Sequence, residues 1–173
     1  MATKRSMWVL FAILAISIWI LGDPIQVEAE TLNFKSYVWM IKSEGVSLDD
    51  VEGHRVALAQ RGGFYVLESG EIATIMRVSL NDLIKGAGST TSYETIKFSD
   101  GSTLMLKNQG VLSGTTEEIR SLEVTSQIIK GTGRFKGIKG TGTAKRKVLP
   151  AEKGEAGSKQ VGEGSITYTL PSK

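Results

Sequence analysis

The only histidine of the chain, His54, follows Glu52 by two residues and Asp50 by four. Alternate side chains of a β-strand share a face, so one strand face could present two carboxylates and an imidazole. Such a group could act as a base near neutral pH or bind a metal. Same-face neighbours are, however, about 6.6 Å apart along a strand, and three in a row rarely converge on one ion. We therefore predict no metal and no cofactor, and we interpret these residues first as charges at the solvated start of a strand.

No motif for a nucleophile or a phosphate site accompanies this histidine. The chain has no cysteine and no Gly-x-Ser-x-Gly sequence, and it lacks the Gly-x-x-x-x-Gly-Lys-Ser/Thr phosphate loop. His54 and Glu94, an acid within an apolar strand segment, are the two candidates for a catalytic role. The sequence thus leaves open whether the protein is an enzyme, and it favours a non-catalytic role.

The segment from Lys130 to Lys147 contains seven basic residues and no acidic one: Lys130, Arg134, Lys136, Lys139, Lys145, Arg146 and Lys147. On one hairpin, several of these side chains would form a basic patch. Its natural partners would be anionic lipid head groups or acidic polysaccharide, with an attraction that fades over about 8–10 Å in salt. The alternative is a solvated outer face that opposes aggregation.

The amino-terminal residues have the pattern of a signal peptide. Lys4 and Arg5 precede 15 residues without charge, Met7 to Leu21, and Val27-Glu28-Ala29 offers a small-residue cleavage site. A membrane-spanning helix needs about 20 apolar residues. We predict a signal peptide helix over residues 1–29 and export to the periplasm or the medium. An uncleaved membrane anchor is the alternative, because Trp8 and Trp19 could lie at the membrane interfaces.

Residues 30–173 are predicted to form a single domain. The chain has no cysteine, so disulfides are excluded. A domain of this length can form a stable hydrophobic core without them. The net charge of +3 is mildly basic, and together with export it gives no reason to expect a nucleic-acid partner. No amphipathic stretch of helical length occurs, and short apolar runs alternate with glycine turns. We predict about seven to nine strands in an antiparallel meander, closed into a barrel that removes the sheet edges.

The hairpin around Asp100-Gly101 permits a prediction of register. A two-residue loop would place Leu104 and Leu106 on the face opposite Ile96 and Phe98. A three-residue loop, Ser99 to Gly101, pairs Ile96 with Leu104 and gathers all four apolar side chains on one face. We predict the second register, with Gly101 in a left-handed conformation, because burying four such groups together contributes roughly 6–12 kcal/mol of transfer free energy.

Large aromatic residues recur in the strands: Tyr37, Trp39, Phe64, Tyr65 and Tyr93. An eight-stranded barrel is either filled by its side chains or holds one small ligand. If it is hollow, these aromatics are our candidates for binding a small apolar ligand. The segment Phe64 to Leu67 offers bulk to both sheet faces, so the outer face could be a subunit interface.

The segment Gly131-Thr132-Gly133-Arg134-Phe135-Lys136-Gly137-Ile138-Lys139-Gly140-Thr141-Gly142 is too rich in glycine for a helix. In strands, such glycines mark bulges, corners or close backbone approach, and Phe135 is the one large side chain available to fill a barrel end. The segment resembles the Gly-Thr-Gly-x-Phe-x-Gly-x-x-Gly signature of the allene oxide cyclase and dirigent barrel group. It is also similar to related small exported bacterial proteins, as are the hairpin tip 98–102 and the segment 162–168.

The resemblance implies an all-β fold, an eight-stranded antiparallel meander barrel of the allene oxide cyclase-like kind, in a group whose members often form trimers. The matching glycines are architectural, and no catalytic residue of the plant cyclases can be placed on this chain. We predict a non-catalytic binding or structural barrel. The sequence leaves open whether the barrel is filled by its own side chains or holds a small apolar ligand, and whether the chain forms a homotrimer. One alternative is an isomerase or cyclase acting on a hydrophobic substrate inside the barrel. The other is a binder of anionic envelope surfaces through the basic hairpin.

Overall fold

The computed structural model describes residues 28–115 and 119–171 of the chain. The predicted signal peptide therefore lies outside the described residues, apart from Glu28 and Ala29. Residues Ala29–Pro171 form one compact unit. Within the described part of the chain, no helix is both long and apolar enough to cross a membrane.

The architecture is a closed barrel of eight antiparallel strands in the order β1 to β8, with β8 paired to β1. The strands are β1 Glu30–Ser47, β2 His54–Leu67, β3 Ile72–Ile84, β4 Ala87–Lys97, β5 Thr103–Ser113, β6 Arg120–Gly131, β7 Lys139–Leu149 and β8 Lys159–Thr169. A single turn of 3-10 helix, Gly133–Phe135, lies between β6 and β7. The predicted all-β meander barrel is confirmed.

Alternation of side chains along each strand separates the barrel interior from its outer surface. In β5, every second residue from Leu104 to Leu112 is buried, whereas Met105, Lys107, Gln109 and Val111 between them face outward. A strand with one buried face produces this period of two. β1 interrupts the pattern with a bulge at Ile41, between Met40 and Lys42.

The hairpin between β4 and β5 has the predicted three-residue register. Ile96 pairs with Leu104, and the Phe98 amide donates to the Ser102 carbonyl at 2.9 Å. Gly101 has φ +82°, the left-handed conformation that a loop of this type requires. Ile96, Phe98, Leu104 and Leu106 are all buried on the inner face, so apolar burial and loop geometry favour the same pairing.

One end of the barrel, here called the closed end, is filled by aromatic side chains. Phe135 from the 3-10 turn is buried and packs against Phe98 and Tyr168, with ring centroids 4.7 Å and 6.0 Å away. Arg134 covers this group from outside, with its guanidinium 4.7 Å from the Phe98 ring centre. The same guanidinium pairs with Glu71 at 2.6 Å. Phe135 thus closes the barrel end, as the glycine-rich segment predicts.

The glycines around Phe135 are required by the backbone. Gly137 has φ +80°, which favours glycine. A Cβ on Gly131 would collide with the Phe135 carbonyl oxygen. The segment therefore folds tightly enough to turn Phe135 back into the barrel. The loops at the other end of the barrel, here called the mouth, contribute to a cavity instead.

Candidate functional site

A cluster of polar side chains lies inside the barrel, halfway between its ends. Its members come from six strands and are all buried: Ser36, Tyr65, Arg77, Glu94, Arg146 and Gln160. Buried ionisable groups cost free energy unless each is paired or hydrogen-bonded. The hydrogen bonds of this cluster therefore determine what it can do.

The centre of the cluster is an ion pair between Arg77 and Glu94. The two residues lie directly opposite each other on β3 and β4, and the Arg77 guanidinium contacts Glu94 Oε2 through both Nε and Nη2. The Tyr65 hydroxyl donates to the other carboxylate oxygen, Oε1. Both oxygens of Glu94 are thus occupied by donors within the protein.

Arg146 extends this network from the opposite side of the barrel. Its Nη2 donates to the Tyr65 hydroxyl oxygen at 2.8 Å, and its Nε donates to Ser36 Oγ at 3.3 Å. Arg77 Nη1 donates to Gln160 Oε1 at 3.0 Å. The Tyr65 ring is stacked on Phe34 with centroids 4.1 Å apart. The stacking fixes the ring, and the contacts with Glu94 and Arg146 fix the hydroxyl.

The ionisation of the cluster follows from its neighbours. Burial acts to raise the pKa of Glu94, but the charges of Arg77 and Arg146 and the donated hydrogen bonds outweigh it, so the pKa is lowered. Burial also raises the pKa of Tyr65, and the adjacent Glu94 adds to this. Glu94 is therefore a carboxylate and Tyr65 a neutral hydroxyl at neutral pH.

A cavity of about 460 Å³ extends from this cluster toward the mouth. Its wall includes Arg61, Arg77 and Arg146 together with apolar residues such as Leu112 and Leu122. Binding cavities for small molecules measure roughly 300–1,000 Å³ and combine apolar walls with a few polar groups. The barrel is thus neither completely filled nor uniformly apolar.

Two arginines lie between the cluster and the mouth. Arg61 Nη1 donates to the Ser158 carbonyl at 3.1 Å, and Arg120 Nη1 donates to the Gly86 carbonyl at 3.0 Å. Burial, together with the charges of Arg77, Arg120 and Arg146, lowers the pKa of Arg61 to about 10. The guanidinium of Arg61 is nevertheless charged at neutral pH.

His54 is a structural link at the mouth. Its Nδ1 lies 2.7 Å from Asp50 Oδ1, and its Nε2 lies 2.8 Å from Asp82 Oδ1. Hydrogen bonds to Asp82 and Asp50 raise the pKa of His54. Glu52, the third member of the predicted group, instead pairs with Lys85 at 2.9 Å. No group of three or more potential metal ligands occurs among the described residues.

The two catalytic candidates thus lie in different surroundings. Both nitrogens of His54 face carboxylates, which leaves neither nitrogen free to accept a proton from a substrate. Glu94 is inside the barrel, but its oxygens are held by Arg77 and Tyr65. The structure does not bring Glu94 and His54 together.

The five aromatic residues chosen as ligand candidates do not form one site. Only Tyr65 faces the interior, whereas Tyr37, Trp39 and Tyr93 are exposed on the outer surface. Phe64 is half-buried on that same surface, stacked on Tyr37 with centroids 5.2 Å apart. Four of these five candidates therefore lie outside the barrel interior, because alternation along β1, β2 and β4 places their side chains on the outer surface.

The predicted basic patch is divided. Arg146 is buried, because Lys145 and Lys147 face outward and the residue between them must face inward. Lys145 has Glu123 and Glu163 as its neighbours on the adjacent strands. Arg134 is paired with Glu71 and Asp100 at the closed end. Lys130, Lys136 and Lys139 are exposed near that end.

Comparison with known proteins supports the barrel architecture. No protein family and no curated protein matches the sequence. A solved structure of the pterocarpan synthase dirigent protein GePTS1 superposes with a TM-score of 0.52 at 15% identity, covering 88% of this chain and 94% of that one. The fold is that of a dirigent protein. A second, the pterocarpan synthase dirigent protein PsPTS1, is 16% identical, with a TM-score of 0.48, and covers 84% of this chain and 97% of that one.

The dirigent-like barrel confirms the predicted resemblance at the level of fold. At this identity the likeness carries no information on which residues bind a ligand. The interior arginines are the residues of this candidate site that sequence reasoning missed. Arg61 and Arg77 received no role, and Arg146 was assigned to the outer surface.

The linkage at the mouth predicts the titration of the single histidine. We expect the His54 ring signals in an NMR pH titration to report a pKa above the ordinary value of about 6.5, and Asp82→Asn to lower it because one carboxylate partner is lost. Because the pKa of His54 is raised in the folded state, its ion pairs with Asp50 and Asp82 contribute to stability. That contribution is complete below the unfolded pKa and is lost as pH rises through the folded pKa. The exposed Glu163→Gln serves as control. An unchanged pKa in Asp82→Asn would contradict the assignment.

The central ion pair predicts a large effect of Glu94→Gln. Removing the charge leaves Arg77 buried without its partner, so we expect a loss of roughly 3–5 kcal/mol in the free energy of unfolding. The matched control Glu163→Gln, on the exposed side of β8, should change it by no more than about 0.5 kcal/mol. Urea denaturation measures both.

The effect of Glu94→Gln should also depend on pH. The folded pKa of Glu94 is lowered, so its contribution is complete above the unfolded pKa and is lost as pH falls through the folded pKa. The difference between wild type and Glu94→Gln should therefore shrink in acid. A difference that stays constant down to the acid limit of folding would show that the charge of Glu94 is not its source.

Proposed function

We propose that this chain is an exported, non-catalytic barrel protein that binds a small molecule in its interior cavity. The observation that carries the proposal is the cavity of about 460 Å³, which lies directly beside the buried ionic network. Side chains that only filled the barrel would not need ionised groups at its centre, because apolar residues of similar volume are usually at least as stabilising. The network therefore suits a binding site better than a core.

The contacts of the network favour binding over chemistry. A general base needs an oxygen or nitrogen that can reach the substrate proton. Glu94 is held on both oxygens by Arg77 and Tyr65, and the hydroxyl of Tyr65 in turn accepts from Arg146. These groups form a rigid wall, as a site that orients a bound molecule requires.

Filling the cavity tests the proposal. Leu112 lines the cavity from β5, and its neighbour Val111 points outward with 63% of its surface exposed. We expect native mass spectrometry of the protein purified from exporting cells to show a bound small molecule. Leu112→Trp should lose it because the indole occupies the space, and the control Val111→Trp should retain it. The same spectra show whether the exported chain begins at Glu30.

Two outcomes of that experiment would contradict the proposal. In the first, neither wild type nor the control retains a bound mass. In the second, Leu112→Trp retains the same mass as Val111→Trp, which would place the ligand outside the cavity. Far-ultraviolet circular dichroism of the two tryptophan variants establishes that both fold.

We also propose that the protein forms a homotrimer through an outer apolar face on β1 to β4. This face consists of Trp39, Ile41, Met76, Val78, Leu80 and Tyr93, each between 43% and 55% exposed. Val78 and Tyr93 are direct neighbours across β3 and β4, so the face is continuous there. Large exposed apolar patches usually mark an interface between proteins, and a second copy of the chain is the partner always present.

A charge on the outer apolar face tests this assembly. We expect sedimentation equilibrium to give about three times the chain mass for wild type and the mass of one chain for Val78→Lys, because a buried unpaired charge opposes association. The control Val111→Lys, on an outward position of β5 away from this face, should keep the wild-type mass. A wild-type protein that is monomeric at micromolar concentration would refute the assembly.

A further inference from the structure

The charges on the cavity wall are unbalanced. Among the described residues that line it, six are basic and none is aspartate or glutamate: Arg55, Arg61, Arg77, Lys85, Arg120 and Arg146. Arg61 and Arg77 are directly opposite each other on β2 and β3, an arrangement of like charges that destabilises a sheet. A cavity that only contained water or an apolar molecule would gain nothing from this arrangement.

The partners of these arginines leave most of the positive charge uncompensated. Glu94 is the one acidic member of the buried cluster, and its direct contacts are Arg77 and Tyr65. Arg61 donates to the carbonyl and hydroxyl oxygens of Ser158. Arg146 donates to the hydroxyls of Tyr65 and Ser36. Neutral oxygens satisfy hydrogen bonds, but they do not cancel charge.

The pKa values of Arg61 and Arg146 also reflect the excess of positive charge. Burial lowers the pKa of Arg146, and the charge of Arg77 lowers it further. Burial and three neighbouring arginines act in the same direction on Arg61. Both cations would be stabilised by a negative charge in the cavity, because an opposite charge within a low-dielectric site offsets the loss of hydration.

Besides the basic residues and neutral polar groups such as Ser79, Ser92 and Asn108, the cavity wall includes aliphatic side chains. Leu112, Leu122, Val124 and Val148 line it and belong to β5, β6 and β7. Arg61 and Arg77 belong to β2 and β3, on the other side of the barrel. Arg146 lies on β7, directly opposite Leu122 of β6. A bound molecule would therefore meet cations from both sides of the barrel and aliphatic groups beside Arg146.

We propose that the cavity binds an organic anion, whose carboxylate or phosphate group pairs with Arg61 and Arg146 and whose apolar body packs against Leu112 and Leu122. This inference rests on the proposed function, and it adds the charge of the ligand. It also changes the expected ligand, from a purely apolar molecule to one with an anionic head group. Guanidinium groups suit both head groups, because their planar donors match carboxylate and phosphate oxygens.

Probes that share one ring system and differ in charge test the inference. The anions 2-naphthoate and 2-naphthyl phosphate are compared with the neutral 2-naphthamide by fluorescence titration of the wild-type protein. We expect at least one anion to bind about tenfold or more tightly than the amide, the effect of one hydrogen bond to a charged group. Which anion binds better distinguishes the two head groups. Leu112→Trp should abolish binding of all three probes.

The variant Arg61→Gln tests whether the preference for anionic probes arises in the cavity. Arg61→Gln keeps a hydrogen-bonding side chain but removes the charge, so the preference for the anion over the amide should decrease. The control Lys145→Gln removes an outward charge from β7 and should leave the preference unchanged. Both titrations are repeated at high salt, where a buried pair is screened less than a surface pair. A preference lost equally in both variants would assign it to the surface and overturn the site.

The outcomes separate this inference from the proposed function. If the amide and the anions bind equally and Leu112→Trp abolishes binding, the cavity binds small molecules but not by charge, and the inference alone is overturned. If none of the probes binds to wild type and no mass is retained in native mass spectrometry, both are overturned. The wild-type comparison needs no variant, so the test stands even if Arg61→Gln fails to fold.

Discussion

The ion pair between Arg77 and Glu94 is the interaction on which the barrel interior depends. Glu94 is the single acid of the buried cluster, and it accepts from both Arg77 and Tyr65. Tyr65 can in turn accept from Arg146 because its own proton is directed at Glu94. The polar groups of β2, β3, β4 and β7 are thus ordered in a chain that ends on one carboxylate. In such a network each bond orients the next, so its members act together rather than singly.

The two ends of the barrel follow from where this network lies. Toward the closed end, the interior is apolar and Phe98, Phe135 and Tyr168 exclude water. An ion pair is strengthened on that side by the low dielectric constant of its surroundings. Toward the mouth, the strands contribute polar residues such as Ser79, Ser92 and Asn108 beside the cavity. The network therefore separates a filled half of the barrel from a hollow one.

The sequence predicted the parts of the fold in which two physical signals agree. In the hairpin of β4 and β5, apolar burial and turn geometry required one register, and the same register implies that Glu94, two residues before Ile96, faces inward. That consequence was available from the sequence. In β7, the same reasoning would have placed Arg146 inside, since it lies two residues after Ala144 on the face opposite Lys145 and Lys147. Three consecutive basic residues, Lys145 to Lys147, gave no contrast between apolar and polar positions from which the alternation could be read.

Which face of β1 points into the barrel could not be predicted from the sequence, because both faces carry large apolar groups. Phe34 and Val38 face inward and Tyr37 and Trp39 face outward. By size alone, Tyr37 and Trp39 would be expected in the core. The pairing of β1 with β2 and β8 places them outside instead. Strands with two apolar faces specify their orientation through their neighbours. The interior arginines of β2 and β3 were missed for the same reason.

The β3 strand shows how one sequence produces both the cavity and the outer apolar face. Its inward residues change from Ala73 and Ile75 to Arg77 and Ser79 toward the mouth, while Met76 and Val78 face outward. Along the second half of this strand, polar groups are therefore inside and apolar groups outside, the reverse of an ordinary soluble sheet. Such an inversion costs stability on both faces of an isolated chain. Inside the barrel, Glu94 of the same chain supplies the counter-charge of Arg77. The cost that is left lies with the outer apolar groups, which only a covering surface would offset.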